Sequence, residues 1–360
     1  MSVIATFDQV CKSYDGVSQV VDHLDLAVQE GEFLSLLGPS GSGKTTTLMM
    51  LAGFETPTSG DIRLAGRSLR AVPAYKRDIG MVFQNYALFP HMTVGENVAF
   101  PLQVRGVGRD EQARRVKLAL DMVQLSHAAQ RLPAQLSGGQ QQRVAVARAL
   151  VFEPKLVLMD EPLGALDKNL REQMQFEIRQ LHRRLGVTMV YVTHDQAEAL
   201  TMSDRIAVFH QGKIQQLCGP REMYEQPSSA FVATFVGESN RLSGTVEALA
   251  DGNAVLRTDG GSLLQAVAGD GLRVGGKGVF TLRPERAELS TSGTAEGVGV
   301  AATLEEAIFV GDKMRARLRT SDGQEMIACR SPDQFDTLPT PGSRLCVTWR
   351  IEHARIFVAP

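Results

Sequence analysis

Short runs of apolar residues alternate with stretches of helical spacing over the first two thirds of the chain. Four runs show little polar alternation and are rich in Val, Leu and Met: EFLSLL (32–37), IGMVFQ (79–84), KLVLMDE (155–161) and VTMVYVTH (187–194). Strands that are apolar on both sides are typical of a parallel sheet with helices on both faces. Residues 1–239 are therefore predicted to form an α/β domain around a mainly parallel sheet.

The spacing of apolar positions becomes helical between the second and third of these runs. ENVAFPLQV (96–104) and EQARRVKLALDMVQL (111–125) repeat their apolar residues every three or four positions, which indicates amphipathic helices. We therefore expect a helical subdomain, inserted over about residues 87–150.

The chain changes character after PSSAFVATFVGESN (227–240). Two segments predict hairpins, TVEALADGNAVLRT with a turn at Asp251–Asn253 and ARLRTSDGQEMIA with a turn at Asp322–Gly323, because turn formers separate alternating strands. Residues 240–360 are predicted to form a separate all-β domain of small barrels. Its scattered aromatic residues are expected in the core and not on a nucleic-acid stacking surface; they are Phe280, Phe309, Phe335 and Trp349.

Charge and composition narrow the classes of function. The 360 residues carry a net charge of −2, with 43% apolar and 22% charged residues, as is ordinary for a soluble globular protein. A charge so close to zero argues against bulk binding to nucleic acid or acidic lipid, and no nucleic-acid partner is expected. The start of the chain lacks a signal-peptide pattern, and no apolar run reaches the ~18–20 residues that cross a bilayer, so we expect a cytoplasmic location.

GPSGSGKTT (38–46) matches the phosphate-binding pattern GxxxxGK[ST], with a predicted strand before it and a helix after it. Its glycines allow backbone N–H groups to point at phosphates, Lys44 reaches the β- and γ-phosphates, and the Thr45 hydroxyl ligates Mg²⁺. ATP and Mg²⁺ are the predicted cofactors. The candidate nucleotide-binding residues are Gly38, Pro39, Ser40, Gly41, Ser42, Gly43, Lys44, Thr45 and Thr46.

Two carboxylates end the strand KLVLMDE, and a histidine ends the strand VTMVYVTH. Side chains alternate along a strand, so Asp160 and Glu161 point in different directions. One of the two can bind Mg²⁺ through water while the other faces the attacking water, as phosphoryl transfer to water requires. We expect Asp160 in the first role and Glu161 in the second, where it orients and deprotonates the water. His194 is predicted to sense the γ-phosphate.

LSGGQQQRVAVARAL (136–150) predicts a second anion site. Ser137, Gly138, Gly139 and Gln140 stand at the start of a run of helix formers, and free N–H groups at a helix N-terminus attract anions. The chain thus contains two phosphate-binding segments.

Taken together, these motifs resemble the ATPase subunit of ATP-binding cassette (ABC) importers, of the type with a C-terminal OB-like (TOBE) regulatory domain. The resemblance covers the whole chain, and LSGGQ, DEP, the GALD loop at 164–167 and THD stand in the family's order. It implies that an antiparallel β subdomain accompanies the parallel sheet. It also implies that Tyr14 stacks on adenine and that Gln84 contacts Mg²⁺ and water and links to the permease. Gly164 departs from the serine of many relatives, which affects one loop detail.

The resemblance further implies a head-to-tail homodimer, in which Ser137 and Gly139 bind the γ-phosphate of ATP held by the partner. Two integral-membrane permease subunits and a periplasmic or extracellular solute-binding protein are the other expected partners. The protein would then act peripherally at the cytoplasmic face of the inner membrane. YALFPHM (86–92) is expected to receive a permease helix, with ordinary core packing as the alternative.

The sequence resembles polyamine (spermidine/putrescine) importers most, partly through FVGESN (235–240). Importers of iron(III), sulfate or sugar are the first alternative. A non-transport ABC ATPase that acts as a clamp is the second, but such proteins usually carry two nucleotide domains, coiled coils or zinc cysteines. A soluble P-loop kinase would have no use for LSGGQ.

Overall fold

The computed structural model describes residues 2–164, 166–290, 298–331 and 340–359. The chain folds into two compact units, Met1–Pro220 and Arg221–Pro360. No helix in the described part of the chain combines the length and apolar character that a bilayer crossing requires.

The first unit contains two sheets and a set of helices. Its strands are β1 Val3–Ser13, β2 Gln19–Gln29, β3 Phe33–Leu37, β4 Ser59–Leu64, β5 Arg67–Ser68, β6 Ile79–Val82, β7 Leu156–Asp160, β8 Thr188–Thr193, β9 Arg205–His210 and β10 Lys213–Cys218. Its longer helices are α1 Lys44–Ala52, α2 Val94–Val104, α3 Arg109–Met122, α4 Gly138–Leu150, α5 Lys168–Leu185 and α6 Gln196–Met202. The four apolar runs of the sequence form β3, β6, β7 and β8.

The larger sheet has the order β10-β9-β3-β8-β7-β6. All its neighbouring strands are parallel except β10, which runs antiparallel to β9. Alternate residues of β7 enter different cores: Leu156 and Leu158 pack with α1 and the smaller sheet, whereas Val157 and Met159 pack with α4 and α5. Burial on both faces explains why these strands lack polar alternation, and the predicted α/β class is confirmed.

The smaller sheet, of order β2-β1-β4-β5, is antiparallel. The helical subdomain has a core of its own, in which α2 and α3 meet α4; Val98, Leu102, Leu120 and Val144 are buried there. α2 begins with a capping box between Thr93 and Glu96, which satisfies two N–H groups at its start. Both features match the predicted architecture.

The second unit begins inside α7 (Pro220–Glu225) and continues with α8 (Ala230–Phe235). Its strands are β11 Asn240–Ala250, β12 Asn253–Arg257, β13 Leu263–Ala268, β14 Lys277–Leu282, β15 Glu288–Ser290, β16 Gly299–Phe309, β17 Met314–Thr320, β18 Glu325–Arg330, β19 Arg344–Thr348 and β20 Ala354–Val358. The predicted Asp251–Asn253 turn joins β11 to β12, and both Asp251 and Gly252 have positive φ, as a tight hairpin turn demands.

One closed barrel, β11-β12-β13-β20-β14, and one five-stranded sheet, β15-β19-β16-β17-β18, make up this all-β unit. Apolar residues of both, such as Leu242 and Val347, share a single core. The prediction of barrels is thus corrected in one respect, because in the described residues the second element is a sheet and only the first is closed.

Two further predictions for this unit differ in part from the structure. Phe280 and Trp349 are buried with ring centroids 4.9 Å apart, as predicted. Phe309 is 61% exposed, so its expected core position is wrong, and Phe335 lies outside the described residues.

The compact unit also starts about twenty residues before the predicted boundary at 240. The buried Arg283 joins these earlier residues to the barrel, because it donates hydrogen bonds to Tyr224 O and Ala233 O.

Candidate functional site

The parallel sheet brings the predicted nucleotide residues to one edge. The segment 38–46 follows β3, Gln84 follows β6, Glu161 follows β7 and His194 follows β8. Because the carboxyl ends of parallel strands meet at the same edge of an open α/β sheet, this edge is the usual place for ligands.

The loop between β3 and α1 has the close backbone packing that only glycine allows. A Cβ atom on Gly38 would lie 2.4 Å from Phe209 O. Gly43, which caps α1, has φ +100°, and its Cβ would lie 2.5 Å from Val20 O. A side chain at either position would displace backbone, which explains these glycines physically.

Lys44 opens α1 and is almost fully buried. Its ammonium donates to Gly38 O and Pro39 O, both at 2.9 Å, and more weakly to Ser42 Oγ at 3.4 Å. Burial lowers the pKa of Lys44, and the carboxylates of Glu161 and Asp160 oppose this shift. The positive charge is therefore held at the loop that the motif assigns to phosphate.

Thr45 connects α1 to β7, since its hydroxyl donates to Asp160 Oδ1 at 3.0 Å. Asp160 is buried, and burial raises its pKa while the Thr45 hydrogen bond lowers it. A hydroxyl and a carboxylate side by side supply oxygen ligands of the kind that Mg²⁺ prefers. Two of the three residues predicted to contact the metal are thus in direct contact.

Glu161 lies next to His194. Its Oε2 atom is 3.1 Å from His194 Nδ1, and its backbone N–H donates to Val192 O at 3.1 Å. Glu161 has φ +44°, an uncommon conformation for a residue with a side chain. This backbone reversal directly after β7 directs the two adjacent carboxylates to different partners, Thr45 and His194.

Two further predicted residues, Gln84 and Tyr14, lie at the surface. Gln84 is exposed directly beyond β6. Tyr14 is 61% exposed on the turn between β1 and β2, with the Lys12 ammonium 4.6 Å from its ring centroid. That turn leads into β2, whose Val20 carbonyl packs against Gly43. The Tyr14 ring therefore lies on a segment next to the phosphate loop.

The signature segment forms the start of α4. Ser137 and Gln140 make a capping box: Ser137 N donates to Gln140 Oε1 at 3.0 Å, and Gln140 N to Ser137 Oγ at 3.4 Å. Gly138 is exposed and Gly139 packs closely on Leu170. Within the described residues, no hydrogen bond or ion pair joins this segment to the phosphate loop. Within one chain, the two predicted anion sites are therefore not linked by hydrogen bonds or ion pairs between described residues.

Three residues that support the site were missed by sequence reasoning. Arg77 donates to Met50 O and Leu51 O and so holds the end of α1. Arg148 donates to Tyr86 O and Ala87 O, whereas the buried Asn97 bonds with the backbone at 89, 92 and 93. Their partners are backbone carbonyls and, for Asn97, also the Phe89 N–H, and such backbone groups leave no signal in the sequence.

One further group of side chains has metal-binding atoms close together. Cys11, Asp22 and His23 place one such atom each within 4.8 Å of one another. Asp22 already pairs with the Lys213 ammonium at 3.0 Å and with His23 Nδ1 at 2.6 Å. Asp22 and His23 are thus already engaged with each other and with Lys213 of β10.

Fold and site together define an α/β ATP-binding domain joined to an all-β unit. Two family models match the chain: "ABC transporter" over residues 21–164 and "TOBE domain" over residues 280–357. The spermidine/putrescine import ATP-binding protein PotA of Rubrobacter xylanophilus is 50% identical, covering 98% of this chain and 93% of the relative. PotA 1 of Pseudomonas aeruginosa is 44% identical, covering 93% and 91%.

Solved structures agree with this fold. CbiO1 from Clostridium perfringens, part of the ABC transporter complex CbiONQ, superposes with a TM-score of 0.58 at 27% identity, over 62% of this chain and 90% of that chain. The ATP-binding cassette MJ0796, a dimer bound to ADP and Pi, gives a TM-score of 0.54 at 33% identity, over 61% and 99%.

The chain belongs to the family of ABC transporter ATP-binding subunits with a TOBE domain. As such it binds ATP and is an ATPase coupled to transport. The predicted family and its likeness to polyamine importers are confirmed.

Proposed function

We propose that this ATPase drives uptake of a polyamine, spermidine or putrescine, through separate permease subunits. The observation that carries the proposal is the identity of 44–50% to relatives named spermidine/putrescine import ATP-binding proteins, over 93–98% of this chain. The ATPase itself makes no contact with the solute in this scheme. The solute class is therefore proposed from the sequence identity to these relatives along the whole chain.

The phosphate loop holds ATP in this proposal. Backbone N–H groups of residues 38–46 surround the phosphates, and the Lys44 ammonium exchanges its bonds to Gly38 O and Pro39 O for the β- and γ-phosphate oxygens. Tyr14 stacks on the adenine. Positioning and charge stabilisation of this kind supply most of the catalysis in phosphoryl transfer.

The oxygen ligands around Thr45 fit Mg²⁺. The Thr45 hydroxyl and the Asp160 carboxylate, 3.0 Å apart, would hold the ion with Gln84. Bound there, the ion would neutralise charge on the β- and γ-phosphates. Its positive charge would also offset the effect of burial on Asp160, which otherwise favours the protonated carboxyl.

Glu161 serves as the general base in this mechanism. Its carboxylate orients and deprotonates the attacking water, while His194, 3.1 Å away, contacts the γ-phosphate. The pair at the ends of β7 and β8 thereby connects the water to the phosphate that it attacks.

Two copies of the chain complete each site. Ser137, Gly138 and Gly139 at the start of α4 bind the γ-phosphate of ATP held by the other copy, with Gln140 stabilising the capping box. The lack of hydrogen bonds between this segment and the chain's own phosphate loop, in the described residues, supports action between subunits. ATP binding closes the dimer and hydrolysis releases it.

The segment 86–92 is the proposed contact with the permease. Pro90 and His91 are exposed, and Leu88, Phe89 and Met92 are half-buried. Arg148 and Asn97 fix its backbone through the hydrogen bonds described above, so the surface keeps one shape. The subunits act at the cytoplasmic face of the membrane, where ATP is available, beneath two permease subunits that receive solute from a binding protein outside.

A transport assay tests this function. In a strain that lacks this gene, we expect uptake of labelled spermidine or putrescine to be lost and uptake of iron(III), sulfate and sugar to be kept. The wild-type gene and a Lys117→Ala variant, which changes an exposed lysine of α3, should restore uptake, whereas Lys44→Ala should not. Normal polyamine uptake in the deletion strain would overturn the solute assignment.

A further inference from the structure

A cavity of about 540 Å³ lies in the second unit, between α7 and the barrel. Its charged lining residues are four arginines and two glutamates: Arg221, Arg283, Arg286, Arg355, Glu225 and Glu352. The cavity therefore has an excess of two positive charges before His353, which also lines it, is counted. Its volume is in the range of sites that hold small molecules.

The two glutamates do not neutralise the arginines in pairs. Glu225 is shared, at 3.0 Å from Arg221 and 3.8 Å from Arg286. Glu352 lies 4.0 Å from Arg350, which does not line the cavity, and 3.8 Å from His353. Two acidic groups are thus divided among several cations.

Arg283 is 93% buried but bonds only uncharged acceptors. Its guanidinium donates to Tyr224 O, Ala233 O, Glu238 O and Ser239 Oγ at 2.8–3.1 Å. These bonds fix its position and leave its positive charge uncompensated by any carboxylate among them. The positive charge of Arg283 therefore stays at a fixed position in the cavity wall.

Among the described lining residues, Arg355 is the arginine whose guanidinium has no partner. It stands on β20, half-buried, and its guanidinium has no hydrogen bond or ion pair with any described residue. Burial lowers the pKa of both Arg355 and Arg283, and at Arg283 the Tyr224 hydroxyl and the Glu285 carboxylate oppose this shift. A planar guanidinium in this setting matches the paired oxygens of a phosphate.

We propose that this cavity binds a small soluble anion of the phosphate class, such as inorganic phosphate or a phosphorylated metabolite, through Arg355 and Arg286. The ligand brings two negative charges to a cavity with two excess positive charges. Arg283 contributes its charge from the barrel wall. The site is separate from the ATP-binding loop in sequence and in the folded unit that carries it.

Calorimetric titration of the full-length protein tests the proposal, with inorganic phosphate and glucose 6-phosphate as probes. The nucleotide site is first saturated with AMPPNP and Mg²⁺, so that the probes cannot enter it. We expect one probe molecule per chain, and Arg355→Gln should weaken binding by at least ~10-fold, because a charge-assisted contact is lost. Arg286→Gln should weaken it also, which covers the case that Arg355→Gln does not fold.

Arg350→Gln is the matched control, because it removes the same charge from a side chain that is 75% exposed and does not line the cavity. It should leave probe binding unchanged. Absence of binding by both probes, or equal loss in Arg350→Gln, would overturn the proposal. Phosphatidylglycerol vesicles form a further arm: binding to vesicles that depends on Arg355, without binding of either soluble probe, would assign a lipid headgroup and also overturn it.

Discussion

The contact between His194 and Glu161 has two explanations, and replacing His194 distinguishes them. Its ring is 58% exposed and its Nδ1 lies 3.1 Å from Glu161 Oε2. If His194 only orients Glu161, then His194→Ala removes one surface contact. Such contacts contribute at most ~1 kcal/mol, which corresponds to about a fivefold loss of turnover.

The proposed contact with the γ-phosphate predicts a larger effect. A hydrogen bond to a charged group contributes about 1.5–3 kcal/mol, so His194→Ala should lower turnover by roughly 10- to 150-fold. Glu161→Gln should cost more, about 10²- to 10⁴-fold, since it removes the general base. Glu161→Gln should keep ATP binding and accumulate a closed dimer.

Phosphate release at saturating ATP and Mg²⁺ measures all of these rates. His127→Ala, which changes an exposed histidine of the helical subdomain, is the control and should be unaffected. A loss of less than fivefold in His194→Ala would refute the phosphate contact and leave only the bond to Glu161. Near-normal turnover in Glu161→Gln would refute the general base.

Other residues of the site give three further expectations. Mixing Ser137→Arg with Lys44→Ala should recover part of the ATPase activity, because one site of the mixed dimer then has both defects and the other has neither; confirmed heterodimers with uncoupled sites and no recovery would contradict action between subunits. Asp160→Asn should raise the Mg²⁺ concentration needed for turnover, and excess Mg²⁺ should restore part of the rate; an unchanged Mg²⁺ titration would show that Asp160 does not hold the ion. Gly43→Ala should lower the melting temperature much more than Gly41→Ala, because only the first Cβ would meet backbone, 2.5 Å from Val20 O; similar melting temperatures would disprove the close-packing explanation.

Much of the first unit could be predicted because its chemistry is local in sequence. The strands β3, β6, β7 and β8 are short, apolar and followed at once by functional residues, so parallel pairing alone places those residues at one edge. The spacing from Gly38 to Thr45 fixes a strand, a loop and a helix together. Nothing in that spacing shows that Glu161 pairs with His194, since 33 residues separate them.

The second unit was harder to predict because the alternation of apolar and polar residues along a strand does not show which strand pairs with it. β13 pairs in parallel with β20, almost ninety residues later, and this long-range pair closes the barrel. Alternating apolar positions look the same in a closed barrel and in an open sheet. The barrel and the five-stranded sheet share a single core, which explains why the sequence predicted one all-β domain. It did not predict that only one of the two elements is closed.

Arg283 determines where this protein can be divided. A fragment of residues 240–360 would keep the barrel but lose all four acceptors of a guanidinium that is 7% exposed. A hydrogen bond to a charged group contributes about 1.5–3 kcal/mol, so this loss is a large part of the ~5–15 kcal/mol that stabilises an ordinary domain. A fragment that starts at 221 retains every partner. Recombination that exchanges TOBE-containing units between transport ATPases would therefore have to carry α7 and α8 along with the barrel.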